Sequence, residues 1–130
     1  MQTNDLIGIP FIDGGRDPNI GLDCWGLFIL AMKRYGNNIP DYSVMAFDTD
    51  KIVSTMAVAV NMWQKCNTPQ EGLGVSFAIN PQFPDITQHF GVCLNCNKFL
   101  HTRSKTGSVI ERFDNAFWSK KITGFWKWQG

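Results

Sequence analysis

Apolar positions recur along this chain in two rhythms, first helical and then alternating. Cys24-Trp25-Gly26-Leu27-Phe28-Ile29-Leu30-Ala31-Met32-Lys33-Arg34-Tyr35-Gly36 is apolar around most of a helical circumference, which predicts a buried central helix. Its ends are punctuated. Asp23 stands at the N-cap, Lys33 and Arg34 fill the last turn, and Gly36 supplies a left-handed stop. Ile52, Met56, Val60 and Trp63 also recur at helical spacing, and Asp48 or Thr49 can cap them; this predicts a second helix over 49–65, ended by Asn67-Thr68-Pro69. Beyond Gly72 the pattern turns to strands, expected at 74–79, 89–94, 98–102, 108–113 and 122–128. Asn95-Cys96-Asn97 reads as a tight turn closing a hairpin, and a short segment falls at 115–119. Helices first and an antiparallel sheet after them predict an α+β domain.

Residues 5–22 fit neither rhythm. They hold four glycines, two prolines and several Asp and Asn residues, and they lead straight into the first helix. No repeat or low-complexity linker interrupts the chain, so one domain over residues 1–130 is expected. A hydrophobic fraction of 44%, with ten Phe, five Trp and two Tyr, suits a packed core. The formal charge of +1, without a basic run longer than Lys120-Lys121, argues against nucleic acid as a partner. No apolar stretch approaches the roughly 20 residues of a bilayer span, so no membrane insertion is expected. Met1-Gln2-Thr3-Asn4-Asp5 shows no leader pattern. The four cysteines are therefore expected as free thiols in a protein made in a cytoplasm.

The candidate chemistry lies at the junction of loop and helix. Cys24 falls in the first helical turn, where free backbone N–H groups and the positive helix end are expected to favour a thiolate and to stabilise an oxyanion. Gly26 is expected to leave room beside the thiol. The two histidines, His89 and His101, lie on adjacent strands of one predicted hairpin. One could take the thiol proton while the other orients the first, the logic of a nucleophile, base and orienter. Taken singly these residues are ordinary: a cysteine in an apolar helix is usually core, and a strand histidine is usually structural. Their conjunction favours catalysis. Cys66, at the end of the second predicted helix, reads as inert. His89, Cys93, Cys96 and His101 form an array that could chelate zinc. Cys93 and Cys96 straddle the turn, however, and the spacings match no common zinc module. No metal and no cofactor are expected.

The segments Gly8-Ile9-Pro10-Phe11, Gly14-Gly15-Arg16-Asp17-Pro18 and Leu22-Asp23-Cys24-Trp25-Gly26-Leu27 resemble the N-terminal signature of the NlpC-type cell-wall cysteine peptidases. His89-Phe90-Gly91-Val92 and Phe99-Leu100-His101-Thr102 are similar to that family's histidine strands. Val109-Ile110-Glu111-Arg112 and Ile122-Thr123-Gly124-Phe125-Trp126 are similar to its last strands. The resemblance implies a papain-like α+β fold, with N-terminal helices carrying the cysteine packed on a C-terminal antiparallel sheet. It implies Cys24 as nucleophile, His89 as general base, His101 as orienting third member and Asp23 as a binder of a substrate amino group. Phe11 stands where the family often has a tyrosine, keeping the ring without the hydroxyl. Trp25 replaces a common serine, and its bulk is expected to narrow the cleft or form one wall of it. Residues 79–88 are expected as a loop beside it.

The implied reaction is metal-free hydrolysis of a peptidoglycan stem peptide, typically at a D-glutamyl–diamino acid bond, through a thioester. The Asp-Cys-Trp-Gly-Leu form resembles members associated with phage tails. It implies a virion protein made in the host cytoplasm, acting at the cell wall beside other tail or tail-tip chains. Two other functions share these residues: a structural tail-tip or assembly protein with little catalysis, and an acyltransferase.

Overall fold

The computed structural model describes residues 3–41, 62–84 and 87–130. A 3₁₀ turn at Asn4–Leu6 opens the chain. Two short strands, β1 (Arg16–Asp17) and β2 (Gly21–Leu22), pair antiparallel across the turn between them. The helix α1 (Cys24–Arg34) follows at once. Asp23 caps it by accepting a hydrogen bond from Gly26 N–H. At the other end Gly36 N–H reaches Lys33 O and Asn37 N–H reaches Met32 O, both 3.0 Å, with Gly36 at φ +83°. These are the paired bonds of a left-handed glycine stop, as the sequence predicts.

The remaining strands are β3 (Trp63–Cys66), β4 (Gly74–Phe77), β5 (His89–Cys93), β6 (Lys98–Arg103), β7 (Gly107–Arg112) and β8 (Ile122–Trp128). They form one antiparallel sheet in the order β3-β8-β4-β5-β6-β7. A second 3₁₀ turn, Trp118–Lys120, lies between β7 and β8. Among the described residues no helix is long and apolar enough to cross a membrane.

The expected second helix falls largely on residues outside those described. Its last expected residues, Trp63 to Lys65, are strand instead, and Cys66 ends that strand rather than a helix. Cross-strand pairing explains the difference. Trp63 lies opposite Trp128, ring centroids 4.8 Å apart, so an aromatic pair on β8 overrides the helical spacing.

The sheet is apolar on both faces. On one, Leu27, Phe28, Ala31 and Met32 of α1 pack against Phe90, Val92 and Leu100. Burial of a side chain such as Leu27 or Phe28 contributes about 2 kcal/mol. On the other face Val75, Phe77, Cys93 and Phe99 pack with Trp118. Strand alternation therefore puts His89 and His101 on the face away from Phe90 and Leu100. The N-terminal segment is stitched to β7: Gly8 N–H donates to Ser108 O (2.8 Å), and Ser108 N–H to Ile9 O (2.9 Å). Ile9 N–H also donates to the buried Ser108 hydroxyl at 2.8 Å.

Candidate active site

The thiol side of the site is held by its own sequence neighbours. Asp23 is wholly buried. Its Oδ1 accepts from Gly26 N–H at 2.8 Å and from Arg16 Nη1 at 2.6 Å, and its Oδ2 accepts from Gly14 N–H at 3.0 Å. Arg16 also donates to Gly15 O and, through Nε, to Asp41. One ion pair, buried at Asp23 and partly exposed at Arg16, thus ties the glycine turn to the first turn of α1. A Cβ on Gly26 would sit 2.2 Å from Gly15 O, so glycine is required there by the loop backbone. The space it leaves is taken by that carbonyl rather than by open room beside the thiol.

Asp23 is consequently engaged inside the protein, in contrast to an exposed carboxylate awaiting an amine. Burial raises its pKa despite the hydrogen bonds and the Arg16 charge. Trp25 also departs from expectation. It stacks on Phe28 at 5.0 Å and meets Phe90 edge-on at 5.0 Å, so it belongs to the helix-side core and forms no wall of the cleft.

Cys24 and His89 line one small cleft together with Phe11, Gln88, Thr102 and Arg103. Behind it the imidazoles form a chain. His89 Nε2 and His101 Nδ1 are 2.8 Å apart, and His101 Nε2 contacts Glu111 Oε2. A carboxylate accepts and does not donate, so the His101 proton belongs on Nε2. His101 Nδ1 is then an acceptor, His89 Nε2 carries the next proton, and the free lone pair of His89 falls on Nδ1. One carboxylate fixes both tautomers.

An aromatic cage encloses the pair. Trp118 stacks on His89 at 5.6 Å and meets His101 edge-on at 4.7 Å, while Phe77 and Phe99 close the other sides. Burial lowers both imidazoles, His89 well below its ordinary 6.5 and His101 to about 4. The neighbouring imidazole adds to the effect at His89, and at His101 the Glu111 contact opposes it.

The thiol does not behave as a helix terminus alone would dictate. Burial, with the Asp23 charge as the second cause, pushes Cys24 up to about 12, against hydrogen bonds from the Phe90 and Trp25 backbones. Desolvation outweighs the helix end. The resting site pairs a neutral thiol with a neutral imidazole.

The zinc array does not assemble. Cys93 is buried among Phe77, Phe99 and Trp118, Cys96 is exposed in the turn, and all four cysteines are free thiols. Among the described residues no group of three His, Cys, Asp or Glu side chains is placed to hold a metal. Glu111 and Trp118 are the site residues the sequence reading passed over. No motif marked Glu111: the β6–β7 register sets His101 opposite Val109, and that register puts Glu111 on the neighbouring diagonal.

A thiol at a helix start, sharing a cleft with a strand-borne imidazole, is the layout of cysteine hydrolases. The chain belongs to the NlpC/P60 family, a family of cysteine peptidases and hydrolases: the family model matches residues 8–127. No curated protein matches it. Among solved structures, it is similar to an NLP/P60 family protein, described as similar to a lipoprotein, from Staphylococcus aureus subsp. aureus Mu50. The TM-score is 0.68 at 18% identity, over 95% of this chain and 38% of that one. An NlpC/P60 family protein from Bacillus cereus ATCC 10987 gives 0.67 at 18%, over 100% and 41%. The NlpC/p60 domain of the peptidoglycan hydrolase SagA gives 0.57 at 17%, over 92% and 86%. These likenesses establish the fold, and the chain spans about two-fifths of the length of the first two.

Proposed function

We propose that the protein is a cysteine peptidase or amidase of bacterial cell-wall peptides, with Cys24 as nucleophile, His89 as general base and His101 as its orienting partner. The observation that carries this reading is the hydrogen-bonded chain from Glu111 through His101 to His89, ending at a cleft shared with Cys24. As the thiol approaches a substrate carbonyl, His89 Nδ1 takes the proton from Sγ and sulfur bonds to carbon. Free backbone N–H groups of the first helical turn receive the developing oxyanion. His89 then returns the proton to the leaving amine, giving a thioester, which water opens with the same imidazole as base. With the thiol near 12 and the imidazole well below 6.5, proton transfer accompanies attack instead of preceding it.

Peptidoglycan stem peptides as substrate are supported by family membership, and SagA, a fold neighbour, is described as a peptidoglycan hydrolase. The setting in a phage tail, with tail-tip chains as partners, rests on the Asp23-Cys24-Trp25-Gly26-Leu27 resemblance. A second reading, a tail-tip assembly protein with weak catalysis, is favoured by one observation: Cys24 is buried, which limits a substrate's access to the thiol.

Digestion of diaminopimelate-type peptidoglycan by wild type, C24A and H89A separates them. The peptidase reading expects fragments ending at D-glutamate from wild type, with a loss of about a thousandfold or more in each variant. Intact sacculi, with Cys24 also inert to an alkylating probe, would establish the assembly reading instead.

A further inference from the structure

We propose that Arg103 is a positioning residue for the base: through the Trp118 ring that the two share, its guanidinium keeps the His89 imidazole uncharged and aligned for the thiol proton. His101 and Arg103 alternate with Thr102 on β6, so both project from the same face of the sheet. The β5–β6 register pairs Val92 with Leu100 and Cys93 with Phe99; continued along the strands, it sets Arg103 opposite His89. The strands stay close on the way there, since a Cβ on Gly91 would lie 3.0 Å from Leu100 O and 3.3 Å from His101 Cβ. His89, His101 and Arg103 are thus neighbours on the face away from α1.

Trp118 covers all three. Its ring stacks on His89, with centroids 5.6 Å apart and planes 29° from parallel, and meets His101 edge-on at 4.7 Å. The Arg103 guanidinium carbon lies 5.4 Å from the centre of the same ring. The turn that carries the indole is itself fastened, because Asn115 Oδ1 accepts from Phe117 N–H at 2.9 Å and from Trp118 N–H at 3.2 Å.

An indole face attracts cations, and here a guanidinium already holds it. Protonating His89 would set a second positive charge beside the first, over one ring, in a site closed to water. The groups that face His89 from the other elements leave that charge standing. Phe77 on β4 and Trp118 are uncharged, and His101 on β6 is a neutral acceptor. Glu111 on β7 is taken by His101; at the start of α1, Cys24 is a neutral thiol and Asp23 is paired with Arg16. The Arg103 charge adds to burial in lowering both imidazoles. His89 therefore rests as an acceptor at Nδ1 even in mild acid, and after taking the Sγ proton it releases it readily to the leaving amine. The part played in hydrolysis rests on the peptidase reading, whereas the ionisation of His89 does not.

The test reads the two separately. Imidazole carbon shifts of wild type, R103Q and R103K are followed by NMR from pH 7 downwards, with amide spectra confirming the fold at each step. R103M, which keeps the apolar stem on the indole, serves as a second uncharged variant should R103Q unfold. Without the charge, the onset of His89 protonation is expected about one pH unit above that of wild type, with R103K close to wild type. The same onset in wild type and the uncharged variant, or a shift that R103K shares in full, would overturn the proposal. The acid limb of kcat/KM on a soluble stem peptide should rise by the same unit in R103Q and stay in place in R103K. A fall by one factor at every pH would make Arg103 a structural support alone and overturn its part in the reaction. No cleavage by wild type, with the imidazole shift intact, overturns the hydrolase reading and leaves the coupling of Arg103 to His89.

Discussion

Cys24 is held by residues adjacent to it in sequence, whereas His89 is held by residues that reach it only across the sheet. On the thiol side Gly14, Gly15, Arg16, Asp23 and Gly26 make one local clamp of backbone, one carboxylate and one guanidinium. On the imidazole side His101, Glu111, Phe77, Phe99 and Trp118 come from three strands and a 3₁₀ turn. The first is polar and tolerates no added atom. The second is aromatic and restrains protons more than backbone. Position is therefore set on one side of the cleft and proton affinity on the other.

The largest expected effect strikes the clamp. Gly26→Ala drives a methyl against Gly15 O, a backbone atom that cannot swing aside, so stability should fall by about 3 kcal/mol or more. Thermal melting would show this as a drop of ~10 °C. A variant melting with wild type would mean that the loop yields and the contrast between the two sides is false.

Acid tests the cage next. His101 is depressed in the folded state from 6.5 to about 4, so the unfolded chain binds the proton first as pH falls. Stability is unaffected above pH 6.5 and declines between there and about 4, by about 3 kcal/mol from this group. His89 shifts in the same direction. Urea denaturation at pH 7 and pH 4.5 measures the loss, and His101→Gln should reduce the slope. Equal stability at both pH values would mean that the imidazoles are not caged as bases.

The smallest effect addresses the tautomers. Glu111→Gln removes the acceptor-only partner, so His101 loses its fixed proton position while the cleft lining is unchanged. We expect kcat to fall by about ten- to a hundredfold with KM retained, and Glu111→Asp to recover part of the rate. A change confined to KM would assign Glu111 to substrate binding.

The same division explains what could be read from the chain. The cap at Asp23, the thiol at the helix start and the stop at Gly36 were legible because capping depends on residues a turn apart. Strands β4 to β8 were legible from alternation, and the two histidines from their shared hairpin. Glu111 and Trp118 were not, since strand register and the packing of a 3₁₀ turn bring them to the imidazoles. Trp63 misled because its helical spacing with Val60 says nothing of its partner Trp128. Asp23 and Trp25 were assigned to the cleft by motif, yet both face inward. Burial, which neither motif nor spacing encodes, also sets the thiol and imidazole affinities.

Gly8 and Ile9 are stitched to Ser108, and the last proton acceptor of the site follows at Glu111. The consequence is one of timing. During synthesis Cys24 leaves the ribosome early, but the proposed base, His89, has no fixed tautomer until β7 has emerged and brought Glu111 to His101. On the proposed mechanism, hydrolysis thus waits for the C-terminal half of the sheet, and the unfinished chain is spared its own nucleophile.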